Sequence, residues 1–133
     1  MNSPDLSGFR QSGGKLIAWI GNADAAVSAK ETIAWYNKVN AREGGTAADF
    51  LKLFVVPGMA HCTGGMATDR FDMLTALENW VERGNADSVP AEASRPGFFG
   101  VASRSRPLCP YPKYAHYKGS GDINVASNFT CAN

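Results

Sequence analysis

The sequence predicts an α/β protein in which two parallel strands alternate with two helices. Two short apolar runs with strand character, at 15–20 and 50–56, are separated by a helix-like segment, and a second helix-like segment follows at 69–83. Near-continuous apolar runs are typical of strands that are buried on both faces of a parallel sheet. Because a strand, a helix and a parallel strand in succession form a right-handed crossover, this order predicts a β-α-β-α unit within residues 1–84.

The first strand and the first helix are bounded by recognisable signals. Glycines precede the strand, and the turn-prone sequence Gly21-Asn22-Ala23-Asp24 follows it. Ser28 and Glu31 form the capping-box pattern, in which the hydroxyl caps the helix and the carboxylate reaches back to the cap. Apolar residues then recur at helical spacing, and the pair Gly44-Gly45 predicts the end of the helix.

The second strand leads into the sequence Pro57-Gly58-Met59-Ala60-His61-Cys62. A glycine-bearing loop at 63–68 then precedes the second helix, which Gly84 is expected to close. Four apolar side chains of this segment are expected to face the sheet: Phe71, Leu74, Leu77 and Val81. Two strands are too few for a stable parallel sheet, so the pattern indicates a piece of a larger domain.

The remainder of the chain, 85–133, is predicted to be irregular. Residues 85–108 contain three prolines and are expected to form an ordered loop rather than a second domain. Cys109 and Cys131 bracket a segment rich in Pro, Gly and Tyr that has neither helical nor strand periodicity. Such a segment orders poorly without a cross-link, which favours a disulfide between these two cysteines and leaves Cys62 unpaired. Three reduced cysteines in a cytosolic protein are the alternative.

Composition excludes several classes of function. The chain has 133 residues, with 13 Lys and Arg against 12 Asp and Glu, so it lacks the basic excess that nucleic-acid binding requires. Hydrophobic residues make up 44% and charged residues 19%, which excludes a disordered chain. The longest apolar runs are too short to span a bilayer, so no membrane partner is predicted. The first five residues show no signal-peptide pattern, and Met1 is either a native start or the start of a subcloned piece.

Asp24 and His61 are the polar side chains that follow the two predicted strands. The carboxyl ends of neighbouring parallel strands, just under 5 Å apart, meet at one edge of a sheet, so these side chains can come within hydrogen-bond reach. An acid that holds one imidazole nitrogen fixes the tautomer and frees the other nitrogen as a general base. Asp before His, both after a nucleophile, is also the α/β-hydrolase order. Two alternatives stay open: Asp24 as a turn or capping residue, and His61 as an ordinary loop histidine.

Other chemistry is disfavoured by spacing. The side chains of His61 and Cys62 are adjacent and are expected to diverge, which argues against a thiol nucleophile. A zinc site built from His61, Cys62, Cys109 and His116 would lack any recognised ligand spacing. The chain has neither a Gly-x-Ser-x-Gly sequence nor a phosphate-binding loop. No metal and no cofactor are therefore predicted.

Two of the longer motif-bearing stretches are Leu53-Phe54-Val55-Val56-Pro57-Gly58-Met59-Ala60-His61-Cys62 and Tyr117-Lys118-Gly119-Ser120-Gly121-Asp122-Ile123-Asn124. They resemble the C-terminal part of the tannase and feruloyl esterase family, especially the bacterial branch that includes a terephthalate-ester hydrolase. The resemblance continues in the same order through 13–17, 21–24, 69–74, 80–84, 106–112 and 128–131. It covers nearly the whole chain.

The resemblance implies the C-terminal portion of an α/β-hydrolase fold, with the β-α-β-α unit followed by an irregular, disulfide-linked tail. It assigns Asp24 as the acid and His61 as the base of a Ser-Asp-His triad. Cys62 would form a disulfide with a cysteine before the catalytic serine, outside this chain, and the tail disulfide would join Cys109 to Cys131. Val27 falls where the terephthalate-ester hydrolase has a substrate-contacting aromatic residue. It is therefore a candidate substrate contact, and the difference argues against that particular substrate.

The expected function is that of the C-terminal segment of a secreted or periplasmic serine esterase that acts on aromatic or phenolic esters. Its expected partners are the ester and the N-terminal remainder of the domain, which would supply the serine, the oxyanion hole and the family's lid with its calcium site. The isolated chain is expected to lack turnover, since triad residues act as a unit, and its open sheet edges would favour self-association. The alternative is a non-catalytic module with hydrolase ancestry.

Overall fold

The computed structural model describes residues 3–93 and 102–133. Three α-helices and seven strands follow one another in this order: α1 Ser7–Gln11, β1 Leu16–Gly21, α2 Ala29–Arg42, β2 Leu51–Val56, β3 Arg70–Phe71, α3 Met73–Arg83, β4 Val89–Glu92, β5 Ser105–Leu108, β6 Tyr114–Tyr117 and β7 Phe129–Ala132. Short 3-10 helices lie at Ala47–Asp49 and Ala126–Asn128. Within these ranges no helix is long and apolar enough to cross a membrane.

Strands β1 and β2 form the predicted parallel pair, in register from Leu16 opposite Leu51 to Gly21 opposite Val56. Successive side chains of a strand point to opposite faces, and the two faces are covered by different helices. Ile17 joins the cluster that includes residues of α3, whereas its neighbour Leu16 packs against the cluster that includes residues of α2. The β-α-β-α unit that the sequence predicts is therefore confirmed.

Helix α2 begins where the capping pattern predicts. The Ser28 side chain accepts a hydrogen bond from the backbone N–H of Glu31 at 3.4 Å, which satisfies one of the free donors at the helix start. Gly44 and Gly45 both have positive φ angles directly after the helix, so the chain turns there in a conformation that side-chain-bearing residues avoid.

Helix α3 begins four residues later than predicted. Arg70 and Phe71 pair with Glu92 and Ala91 of β4, so these residues are extended rather than helical. Asp72 caps the helix by accepting a hydrogen bond from the N–H of Thr75 at 3.0 Å. Gly84 closes the helix in a left-handed conformation, as expected.

The buried stripe of α3 also differs from the predicted one. Met73 and Trp80 are buried, and two further side chains at helical spacing, Ala76 and Leu77, pack partly against them. Leu74 and Val81 are instead 67% and 62% exposed, so the prediction that they face the sheet is wrong. The stripe is offset by one residue because Trp80, the largest side chain of the helix, occupies the inward position.

The tail is more regular than predicted. Strands β3, β4 and β5 form an antiparallel sheet, and β6 pairs with β7, so the expectations of a loop over 85–108 and of an irregular tail are wrong for these segments. Residues 94–101 of that loop lie outside the described residues. The predicted disulfide between Cys109 and Cys131 is confirmed, with 5.5 Å between the Cα atoms. The sequence did not predict β4 and β5 because each contains a proline, a residue that usually interrupts a strand. In the structure Pro90 of β4 and Pro107 of β5 lie opposite each other.

Candidate active site

Strands β1 and β2 end side by side, and the loops that leave them are joined backbone to backbone. The N–H groups of Asn22 and Ala23 donate to the carbonyls of Val56 and Met59, each at 3.1 Å. A Cβ atom on Gly21 would lie 2.2 Å from the carbonyl oxygen of Met59, so only glycine permits this approach. The two loops therefore hold a fixed position relative to each other.

Asp24 and His61 meet at the end of the parallel pair. The Nδ1 atom of His61 lies 2.9 Å from Oδ2 of Asp24, within hydrogen-bond distance. The Asp24 side chain is only 3% exposed, whereas that of His61 is 58% exposed. The expectation that the two side chains come together is thus confirmed, and the arrangement leaves the imidazole accessible.

The second oxygen of Asp24 is fully occupied by its own loop. Oδ1 accepts hydrogen bonds from the N–H groups of Ala26 at 2.8 Å and Val27 at 2.9 Å. The turn-residue interpretation is therefore correct as well, since one carboxylate both shapes the turn and contacts the histidine. The hydrogen bond from Val27, with smaller contributions from His61 and Ala26, lowers the pKa of Asp24 below its ordinary value, although burial acts in the opposite direction.

The charge of Asp24 fixes the tautomer of His61. A carboxylate accepts hydrogen bonds and cannot donate them, so the proton between the two residues belongs to Nδ1 of the imidazole. The neutral ring then carries a lone pair on Nε2, which is the nitrogen that a general base uses. The pair can therefore accept a proton at Nε2 and stabilise the imidazolium that results.

His61 lies on a tight turn that Asp69 organises. Met59 and Gly65 form an antiparallel bridge, and the N–H of Ala60 donates to the carbonyl of Gly64 at 3.2 Å. Oδ2 of Asp69 accepts hydrogen bonds from the hydroxyl of Thr63 and from the N–H of Gly64, both at 2.6 Å. The sequence analysis missed Asp69, because an acid at the start of a helix-like segment looks the same as an ordinary first-turn residue.

Two further predicted residues lie beside the dyad. Cys62 is exposed, has a free thiol and takes a positive φ of 64° in the middle of the turn. The Val27 side chain is 45% exposed, while its N–H holds Asp24. The partner of Cys62 and the substrate contact of Val27 stay predictions.

The described residues contain no group of three or more His, Cys, Asp or Glu side chains that could hold a metal ion. His61, Cys62, Cys109 and His116 do not form a zinc site, since Cys109 is in a disulfide and His116 lies on β6 of the tail. The contact between Asp24 and His61 by itself supports proton transfer at Nε2 of the imidazole.

Comparison with known proteins identifies the family. The family model described as "Tannase and feruloyl esterase" matches residues 1–132. The mono(2-hydroxyethyl) terephthalate hydrolase of Piscinibacter sakaiensis is 58% identical over 131 residues, which are 98% of this chain and 22% of that protein. Solved structures of an esterase and of feruloyl esterase B, both from Aspergillus oryzae, match with TM-scores of 0.81 and 0.79 at 26% identity. Each match covers 98% of this chain and 29% of the solved one.

The chain thus spans between a fifth and a third of the length of these relatives. The relatives are esterases, and the predicted portion of an α/β-hydrolase fold is confirmed. The chain belongs to the tannase and feruloyl esterase family.

Proposed function

We propose that this chain is the C-terminal part of a serine carboxylic-ester hydrolase that acts on aromatic or phenolic esters. In this proposal Asp24 is the acid and His61 is the base of a Ser-Asp-His triad. The observation that carries it is the 2.9 Å contact between Nδ1 of His61 and Oδ2 of Asp24, a carboxylate whose other oxygen already accepts two backbone hydrogen bonds. Membership in a family of esterases supports the choice of ester hydrolysis.

The mechanism is acyl transfer in two steps. Nε2 of His61 takes the proton of the serine as that oxygen attacks the ester carbonyl, and it then gives the proton to the departing alcohol. A water molecule then attacks the acyl-enzyme while the same nitrogen takes its proton. The bond between the serine oxygen and the acyl carbon breaks, the acid leaves, and Nε2 returns the proton to the serine oxygen. Asp24 orients the ring and stabilises the imidazolium in both steps.

The serine and the oxyanion hole would come from the rest of the protein. The β2 edge that faces away from β1 is covered by the tail, where the N–H of Tyr111 donates to the carbonyl of Leu53 at 2.7 Å. Among the described residues, no strand pairs with the other edge of β1. Trp19 on that strand is 47% exposed, and Leu74 and Val81 on α3 are more exposed than Trp19. This edge therefore suits the N-terminal remainder, and in the isolated chain it would favour pairing with a second copy.

The cysteines fit an oxidising compartment. A disulfide such as that between Cys109 and Cys131 persists in secreted or periplasmic proteins. We place the esterase there and assign to Cys62 a partner in the remainder, next to the serine. Val27, exposed beside the acid, is the proposed substrate contact in this chain.

The proposal is tested by the hydrolysis of a phenolic methyl ester by the full gene product that contains this chain. Replacing His61 with glutamine should reduce kcat at least a thousandfold, because the base is lost. His116→Phe provides the control, since it removes the other histidine and keeps an aromatic ring against Tyr114, 4.1 Å away. Equal activity of the wild type and the His61 variant would favour the rival function, a non-catalytic module that carries the dyad as a relic.

A further inference from the structure

A cavity of about 330 Å³ lies between the segment that carries His61 and the tail. One wall contains Val55 of β2 and Pro57 and Met66 of the following segment, and the other comes from residues of and around β5 and β6. Asp24, His61 and Val27 are not among its lining residues. The volume lies within the range of small-molecule sites.

The cavity is lined by three cations and no acid. Arg104, Arg106 and Lys113 all contribute to the lining. The two arginines have no carboxylate within ion-pair distance in the part of the chain that the structure describes, and that part contains all 12 acidic residues. The positive charge of this wall is therefore not neutralised by a direct partner.

The arginines are positioned by protein contacts that leave most of their donors unused. The guanidinium of Arg106 lies over the ring of Phe129, 4.2 Å from its centroid, and Nη1 donates to the carbonyl of Ser105 at 2.7 Å. Nη2 of Arg104 donates to the carbonyl of Met66. Each guanidinium has five N–H donors, so both keep donors for a ligand.

The electrostatic environment of Arg106 also favours an anion. Burial and the positive charge of Arg104 lower the pKa of Arg106 below its ordinary value, and Asp122 offsets this only in part. A half-buried cation beside a like charge gains stability when an anion neutralises both.

We propose that this pocket binds a small aromatic carboxylate. The carboxylate would take two N–H donors of an arginine, the geometry in which guanidinium and carboxylate match best. The ring would lie against the apolar wall of Val55, Pro57 and Met66. The choice of an aromatic acid over other amphipathic anions rests on the proposed function, since hydrolysis of an aromatic ester releases such an acid.

Binding of 4-fluorobenzoate to the full gene product, followed by ¹⁹F NMR, tests the proposal. We expect saturable binding that Arg106→Met weakens at least tenfold, because the methionine keeps an apolar stem over Phe129 and removes the charge. Lys113→Met, at an exposed position, should weaken it severalfold without affecting folding. Arg83→Met is the matched control, since Arg83 is an exposed cation outside this cavity, and it should leave the affinity unchanged.

Two probes distinguish the chemistry of the ligand. The neutral 4-fluorobenzamide should bind at least tenfold more weakly than the acid, and inorganic phosphate should displace the acid only at much higher concentration. Absence of saturable binding, equal affinity in the wild type and the Arg106 variant, or equal binding of the amide would overturn the proposal. Displacement by phosphate at equal concentration would mean a plain anion site, and the aromatic carboxylate would be the wrong ligand.

The outcome is independent of catalysis. His61→Gln should bind 4-fluorobenzoate as the wild type does, because His61 does not line the cavity. If the protein binds the acid here and hydrolyses no ester, the pocket proposal stands and the proposed function is wrong. If the protein hydrolyses esters and neither cavity variant changes binding, the proposed function stands and the pocket proposal is wrong.

Discussion

Replacing Asp24 with asparagine changes one oxygen of a carboxylate whose two oxygens have different partners. Oδ1 accepts hydrogen bonds from the N–H groups of Ala26 and Val27, and Oδ2 accepts one from Nδ1 of His61. Asparagine has one oxygen and one NH₂ group, so only one of these two sets keeps an acceptor. Placing the amide oxygen towards the backbone retains two hydrogen bonds, whereas the reverse orientation sets NH₂ against two N–H donors. At about 1 kcal/mol for each hydrogen bond, the first orientation is favoured by roughly 2 kcal/mol.

This orientation places the wrong tautomer at His61. The NH₂ group donates to Nδ1, so the ring proton moves to Nε2 and the lone pair that should accept the serine proton disappears. The fold is retained, since the backbone contacts of the turn persist. In serine proteases the same substitution lowers kcat by about 10⁴-fold, and we expect a loss of that order here.

The assay measures kcat on a phenolic ester and the urea midpoint of the same preparations of the full gene product. Asp87→Asn is the matched control. Within the described residues the ion-pair partner of this exposed carboxylate is Lys52, at 3.8 Å, so the substitution should change neither quantity. If Asp24→Asn kept activity within tenfold of the wild type, the predicted change in the tautomer of His61 would be wrong. A large drop in the urea midpoint would refute the claim that the turn survives.

Three further predictions address the turn, the tail and the acid sensitivity of the fold. Asp69→Asn removes the charge of a side chain that accepts two hydrogen bonds from the turn, so activity should fall about tenfold with the fold intact. Unchanged activity would contradict the positioning of His61 by this turn. Replacing Cys109 and Cys131 with serine opens a loop with a sequence separation of 22 and should lower the stability of the tail by about 3 kcal/mol, measured by hydrogen exchange; a loss below about 1 kcal/mol would contradict it. Hydrogen bonds from Thr75 lower the pKa of Asp72 in the folded protein, so the stability that this cap contributes is present above the unfolded pKa of about 3.9 and is lost as the pH falls through the folded pKa. Asp72→Ala should therefore lose less stability than the wild type between pH 5 and pH 2, and parallel urea midpoints would exclude this role.

The sequence predicted the parallel unit because local and long-range signals agree there. Glycines mark the ends of β1, and the capping pattern at Ser28 marks the start of α2. The approach of Asp24 to His61 was predictable as well, since equivalent ends of neighbouring parallel strands fix it. The exact contacts of these two side chains could not be predicted, because the close approach depends on Gly21 lying against the carbonyl of Met59, which is distant in sequence.

Tertiary contacts decided the features that the sequence did not reveal. The first residues of the predicted second helix are extended, since Phe71 pairs with a strand that lies 20 residues further along. The same pairing and the inward position of Trp80 shift the buried stripe and expose Leu74. The strands of the tail are only four residues long, so their side chains show too little periodicity to be recognised.

Labelling of the full gene product with a fluorophosphonate, followed by mass spectrometry, tests whether Asp24 and His61 activate a serine outside this chain. We expect one modified serine outside these 133 residues, and its labelling should be rapid in the wild type and at least a hundredfold slower in His61→Gln. The isolated chain should take up no label. A labelled serine within the 133 residues, or a labelling rate that the His61 substitution leaves unchanged, would show that the two residues do not activate a serine outside this chain.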